Sequence, residues 1–271
     1  MKYMIKRSLD ILAMIMLMTV LMFANTVRSD VVAKGLVAYW SFDASTINGD
    51  KVKDTVGQND GVMKSGPKKV AGKINGALQF DGANSVDIEG TDTLDFVGKE
   101  EFSVAVWVKP DNDSPVVGVV AGCCGTIVAQ RDALSWALRF DGRNGGQEFE
   151  FIVCPNWQGD GGFGAPLKEM PSGEWHYLTG IVAKKNPPNM YLYLDGEKIT
   201  EGTFSGPMVG NGPETDIGHA SDGGFIGAID EVAIYNRALS EDEVKQNFQS
   251  LRFFAVNANY KLAICWGDIK K

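Results

Sequence analysis

The sequence predicts an all-β chain in which two antiparallel sheets pack face to face and one short helix closes the C-terminal end. Three observations lead there. Short apolar runs with two-residue alternation recur along the chain, and glycine pairs such as Asp81-Gly82 and Asp195-Gly196 punctuate them. The stretch from Phe225 to Leu239, FIGAIDEVAIYNRAL, sets Ile226, Ala228, Asp230, Val232 and Ile234 against Phe225, Gly227, Ile229, Glu231, Ala233 and Tyr235. Both faces of that extended segment are apolar, as a central strand requires.

In chain order, Gly35 to Phe42 (GLVAYWSF) is the first predicted strand, and Asp43 leads into a polar loop up to Gly61. Gly76 to Phe80 and Ser85 to Ile88 follow as short strands joined at Asp81-Gly82, whose glycine supplies the positive φ of a tight hairpin. Phe102 to Val108 alternates cleanly. Strands are expected again at Thr126 to Gln130, Ser135 to Phe140 and Phe149 to Val153, before a loop of about 19 residues, Pro155 to Gly173, of a length usual for functional or disordered segments. Glu174 to Ala183 and Asn189 to Asp195 form a further hairpin pair. Ser240 with Glu243 three residues later is a capping box, so a short helix is predicted to run from there to about Leu251.

The N-terminus has the pattern of a secretory signal over residues 1–29. Lys2, Lys6 and Arg7 precede a 14-residue apolar run from Ile11 to Ala24, too short for a comfortable membrane span, and cleavage is expected after Ser29. Export to the cell surface or medium follows, with no membrane insertion after cleavage. Loss of residues 1–29 leaves 22 basic residues against 33 acidic ones, a net charge of −11, which argues against nucleic acid and anionic membrane as partners. Four cysteines, Cys123, Cys124, Cys154 and Cys265, remain in the exported chain. Export permits disulfides, and because sequence neighbours are rarely bridged, Cys154 with Cys123 or Cys124 is the expected pair. A zinc site is the rival use of these residues, disfavoured by the lack of a CxxC spacing and the presence of two histidines alone.

The pieces GLVAYWSFD, GALQFDG, FSVAVWVKP, GEWHYLTGIV, MYLYLDGE and FIGAIDEVAIYNRALSEDEV, in that order, resemble the laminin-G-like, concanavalin A-like jelly-roll domain of secreted bacterial proteins. The resemblance covers about Gly35 to Leu251. It implies a jelly-roll sandwich domain over residues 30–251, followed by a tail, 252–271, that is too apolar to be plain disordered chain. It also implies a structural calcium, held by the Asp of the D-x-V-x-I-Y strand, a carbonyl at the end of the first strand and a carbonyl at an Asp-Gly turn. The matching positions are Asp230, Phe42 or Asp43, and Gly82, with Asp81 as a further carboxylate. The chemistry of the residues agrees, since a carboxylate among apolar neighbours must be paired or coordinated, and calcium takes roughly six to eight oxygens including backbone carbonyls.

Catalytic signatures are sparse. Glu148 and Glu150 share a strand face at the spacing of a glycosidase carboxylate pair, but the E-x-D-x-x-E pattern of the superfamily's glycanases lacks its Asp and third carboxylate here; Asp87 and Glu89 share the spacing with less context. His176 and His219 stand without a nucleophile motif and are read as structural. Trp107, Trp136 and Trp175 are expected in the core. Sugar binding instead needs aromatic faces beside fixed polar groups, which Trp157, Asp160 and Phe163 in the long loop offer, with Arg131, Asp132, Arg143 and Asn144 expected on the same rim. The sequence thus reads as a secreted, calcium-stabilised, lectin-like module that binds glycan or another extracellular ligand without catalysis. The alternatives are a glycoside hydrolase and a structural or adhesion surface protein assembled through its tail.

Overall fold

The computed structural model describes residues 31–111, 116–118, 123–130, 132, 134–142, 148–154, 163–166 and 172–250. Expectations for the signal (1–29), the tail (252–271), Trp157, Asp160, Arg131, Arg143 and Asn144 lie outside these residues, as does that for the Phe163 side chain.

The first part of the chain forms β1 (Leu36–Trp40), β2 (Ile47–Asn48), β3 (Lys51–Val52), β4 (Gly61–Lys64), β5 (Lys68–Ala71), β6 (Gly76–Asp81) and β7 (Ser85–Ile88). Then come β8 (Phe102–Pro110), β9 (Val116–Gly118), β10 (Gly125–Ala129), β11 (Trp136–Asp141), β12 (Glu148–Val153) and β13 (Phe163–Pro166). The last part supplies β14 (His176–Val182), β15 (Met190–Leu194), β16 (Glu197–Gly202), β17 (Thr215–Ile217), β18 (His219–Ala220), β19 (Gly223–Tyr235) and one helix, α1 (Glu241–Gln249). Two regions expected as loops contain strands. The β2–β3 pair lies between Asp43 and Gly61, and β13 pairs with β12 inside the long loop.

One sheet runs β16-β15-β14-β8-β19, and the far edge of β19 is shared between β6, at Ile226 to Ile229, and β1, at Val232 to Tyr235. The other runs β4-β7-β17-β10-β11-β12-β13. The N-terminal residues of β19 belong to this second sheet, through β9, β10 and β18, so a single strand ties the two layers together.

Between the sheets the core is aromatic. Phe102 on β8 stacks against Trp136 on β11 and Phe151 on β12, with ring centroids 5.2 and 5.7 Å apart. A second apolar layer covers the outside of the first sheet, where Tyr39, Ala233 and Tyr235 meet Val244 of α1, while Trp107 and Tyr177 meet Phe248. The helix starts on the predicted capping box. Ser240 accepts from the Glu243 amide, and Glu243, held by Arg237, accepts from the Ser240 amide.

Strict alternation along β19 does not hold. Opposite β8, Asp230 pairs with Trp107 but Ala233 pairs with Ala105, so one extra residue is inserted, and Glu231 takes the left-handed φ of 56° that such a bulge favours. The faces exchange there. Phe225, Ile229, Val232 and Ile234 point between the sheets, whereas Ala233 and Tyr235 join the outer layer. Asp230, in register with Trp107, therefore stands on the outer face and not beside Val232.

The expected Cys154 bridge is also corrected. Gly125 pairs with Phe140 and Val153 with Trp136, so Cys124 and Cys154 flank opposite ends of β11, several strand residues apart at about 3.3 Å each and beyond the roughly 7 Å that a disulfide spans between Cα atoms. The bridge joins Cys123 to Cys124 instead, and Cys154 is buried.

The close approach of the sheets requires Gly180 on β14. A Cβ there would stand 2.7 Å from the ring of the fully buried Phe151, closer than packed carbon atoms approach. Gly180→Ala is expected to cost about 1–3 kcal/mol, lowering the thermal midpoint by several degrees. An unchanged melting curve would contradict this packing.

Candidate metal centre and ligand-facing sheet

Asp230 lies where the edge of β19 passes from β6 to β1, so neither strand continues the ladder beside it. The two chains that separate at this gap are the segment leaving β1 at Phe42-Asp43 and the β5–β6 turn from Gly72 to Gly76. Phe42 takes a left-handed φ of 53°, turning the first chain away. Asp230 is fully buried. Its Oδ2 accepts from the Ile74 amide at 3.1 Å, while Oδ1 is buried without a hydrogen-bond partner.

The surrounding oxygens converge. Asp43 Oδ1 accepts from the Gly76 amide at 3.0 Å, and its Oδ2 accepts from Asn75 Nδ2 at 3.3 Å. A Cβ on Gly76 would come within 3.1 Å of the Phe42 carbonyl oxygen. One on Gly72 would come within 2.6 Å of both Asp230 Oδ2 and the Gly76 carbonyl oxygen, so those two oxygens lie no farther apart than twice that distance. Burial pushes the Asp230 carboxyl up from 3.8 to about 8, and the Asp43 charge adds to this against the pull of the Ile74, Lys73 and Glu231 amides.

The structure thus brings Asp230, Asp43 and Phe42 together but separates them from Gly82 and Asp81. Asp81 pairs with Ile226 at the far end of β6, and the Gly82 carbonyl packs against Gly224 instead. Asp81 is exposed, and its Oδ1 accepts from the Ala83 amide at 3.0 Å, as a turn residue does. The reason is direction: the chain enters β6 beside Asp230 and leaves it at Asp81-Gly82. The turn whose carbonyl lies near Asp230 is the preceding one, Asn75-Gly76. Asn-Gly is itself a turn signal, and that pair was legible in the sequence.

The outward face of the second sheet holds the other polar groups. Since Val86, Ile217, Val128, Leu138 and Phe151 point inward, their neighbours Asp87, Asp216, Ala129, Arg139 and Glu150 point outward. Asp216 pairs directly with Asp87 on the adjacent strand. Burial, then the charges of Asp132, Asp87 and Glu214, push the Asp216 carboxyl to about 7, while Asp87 accepts from Ser85 Oγ. Alternation along the short strand TDI was the only sequence signal for Asp216. Nearer the middle of β11, Arg139 Nε and Nη2 each lie 2.8 Å from Glu150 Oε2, and Nη1 donates to Asp222. Asp132 Oδ1 accepts from the Ser221 amide at 3.0 Å, so the turn into β19 is fastened onto this face twice.

The remaining candidates are placed as follows. Glu148 pairs with Asp141, and Glu89 is exposed. His176 Nδ1 is 2.8 Å from Asp195 Oδ2, and His219 is half-buried on β18. Trp136 lies in the inter-sheet core, its indole N–H donating to Gln130, whereas Trp107 and the half-buried Trp175 pack in the outer layer. Of the polar residues predicted on the rim around Trp157, Asp132 alone lies among the described residues, at the β10–β11 end of the second sheet.

Comparison with solved structures returns chains of the same fold. Domain 4 of AbnA, a GH43 extracellular arabinanase from Geobacillus stearothermophilus, in complex with arabinotriose, aligns with a TM-score of 0.58 and 21% identity, covering 78% of this chain and 97% of that one. The binding domain of Paraclostridial Mosquitocidal Protein 1 aligns at 0.59 and 19%, covering 79% and 52%. Trypanosoma rangeli sialidase with sialic acid aligns at 0.57 and 16%, covering 81% of this chain but 33% of the sialidase. These likenesses concern fold alone. A comparison with curated protein sequences returns no match. Among the described residues no helix is long and apolar enough to cross a membrane. The model of the concanavalin A-like lectin/glucanases superfamily matches residues 80–245, more than half of the chain, and the chain belongs to that laminin-G-like family.

Proposed function

We propose that this chain is an exported, calcium-stabilised module that holds glycan or another extracellular ligand without turning it over. The observation that carries the metal reading is the buried Asp230 carboxylate: its Oδ1 has no hydrogen-bond partner, the Asp43 charge acts on it, and its Oδ2 lies near the Gly76 carbonyl oxygen. Calcium fits this set. It takes hard oxygens in flexible geometry, and Asp230, Asp43 and the carbonyls of Phe42 and Gly76 would hold it. When bound it would neutralise the two acids and join the β1 exit to the β6 entrance. The binding reading is supported by neighbours of the same fold: the arabinanase domain is in complex with arabinotriose, and cell entry of botulinum neurotoxin type C is dependent upon interaction with two ganglioside molecules.

Against turnover stands the state of Glu150. Its Oε2 is occupied by Arg139, which is itself shared with Asp222, so the acid weighed as half of a glycosidase pair has a structural partner. One observation favours hydrolysis as a second reading. Asp87 and Asp216 face each other across adjacent strands, which places Cα atoms about 4.5–5.5 Å apart, near the separation of roughly 5–5.5 Å between carboxylates in retaining glycosidases. Asp216, its carboxyl raised to about 7 by burial and neighbouring charges, would be the acid of such a pair. A binder retains ligands on a glycan array and releases no reducing sugar from a polysaccharide panel. Release that disappears in both Asp87→Asn and Asp216→Asn would establish the enzyme instead.

The raised carboxyls fix the sign of the pH dependence. Asp230 at about 8, Glu231 at about 9 and Asp216 at about 7 keep protons in the folded state that the unfolded chain releases from about pH 4 upward. In chelator, stability is therefore expected to fall as pH rises through that window and to level off above about pH 9. Calcium should remove the Asp230 contribution and raise stability, by about 2.7 kcal/mol at a hundredfold excess over Kd. Asp230→Asn should reverse the order: more stable than wild type in chelator at alkaline pH, less stable in calcium. Urea titrations at three pH values test this, and calcium-independent curves for both proteins would refute it.

A further inference from the structure

A cluster of two sulfurs and one carboxylate lies on the other sheet. Cys123 and Cys124 immediately precede β10, and Asp141 closes β11. Because Gly125 pairs with Phe140, the ladder brings the cysteines beside Asp141. The two sulfurs and a carboxylate oxygen of Asp141 all lie within 4.8 Å of one another. Cys124 is fully buried, Cys123 nearly so, and Asp141 is half-buried. Cys124 also takes a left-handed φ of 77°, a conformation that a non-glycine residue keeps only where its surroundings hold it.

From this geometry we infer a redox-gated site for a soft divalent cation such as zinc or cadmium. With the sulfurs joined as a disulfide, no thiolate is available and the site is closed. A dithiol reductant opens it: two electrons and two protons pass to Cys123 and Cys124 as the S–S bond breaks, and the reductant leaves as its own cyclic disulfide. The cation then displaces the two thiol protons. Two thiolates and the Asp141 carboxylate would supply three of the four positions of a tetrahedral site, leaving the fourth for water or an incoming ligand. Sulfur donors distinguish this cluster from the oxygen-only set around Asp230, so the two sites would take different ions. The site stands where β11 ends, in the hairpin that carries Arg139 and Glu150, and its redox state would bear on that end of the second sheet.

The test uses the full chain and cadmium as the probe. Protein reduced with a dithiol is desalted without oxygen and titrated with cadmium, following the ultraviolet thiolate-to-cadmium charge-transfer band and the circular dichroism of the fold. The expected result is one tight cadmium per natively folded reduced chain and none per oxidised chain. Asp141→Asn should bind at least about tenfold more weakly, the scale of loss on removing groups that support a metal site. Cys265→Ser should bind as wild type does. No band in the reduced folded protein, an equal band in the Cys123→Ser/Cys124→Ser double variant, or loss of the native fold on reduction would each overturn the assignment. Comparing the two redox states of one wild-type sample keeps the test independent of whether any variant folds.

Discussion

The rest of the molecule depends on how one buried carboxylate is neutralised. Asp230 sits in the longest strand at the place where its neighbour changes from β6 to β1, and an ionised acid there without a counter-charge would cost several kcal/mol. Two solutions are open to it, a proton or a cation. The proton is favoured in the metal-free protein, where burial lifts the carboxyl to about 8. The cation is favoured by what surrounds it: the Asp43 charge adds to the burial cost at Asp230, and two glycines let backbone carbonyls approach. The neighbouring bulge at Glu231 is part of the same construction, since it alone puts Asp230 on the outer face while Val232 and Ile234 return to the core.

Everything else is arranged around that strand. Its first residues lie in the second sheet and its remainder in the first, so the two layers cannot separate without breaking it. Phe102, Trp136 and Phe151 fill the space between, and the capped helix seals the outside of the first sheet through Val244 and Phe248. The outer face of the second sheet has no helix over it among the described residues, and it is there that carboxylates and Arg139 collect. A scaffold closed on one side and polar on the other suits ligand binding on the open side.

Much of this was legible in the sequence. Two-residue alternation located the long strands, the Ser240-Glu243 capping box located the helix, and the oddity of an acid in an apolar run singled out Asp230. Local pattern could not reveal the bulge, because an inserted residue leaves composition unchanged and shifts register alone. Gly76 and Gly82 bracket one strand, and only the pairing direction says which end meets Asp230. Cross-strand partners were equally hidden, so Asp87 was weighed against Glu89 beside it and not against Asp216 across from it. The cysteines show the limit of sequence statistics, since a six-residue strand keeps Cys154 away from Cys124 whatever its frequency of pairing.

The most direct measurement of the central claim is the metal content of the purified protein after equilibrium dialysis against calcium, by elemental analysis. One calcium per wild-type chain, falling to none in Asp230→Asn and reduced in Asp43→Asn but unaltered in Asp81→Asn, is the outcome this account predicts. Equal calcium in wild type and Asp230→Asn, or loss of calcium in Asp81→Asn alone, would contradict it.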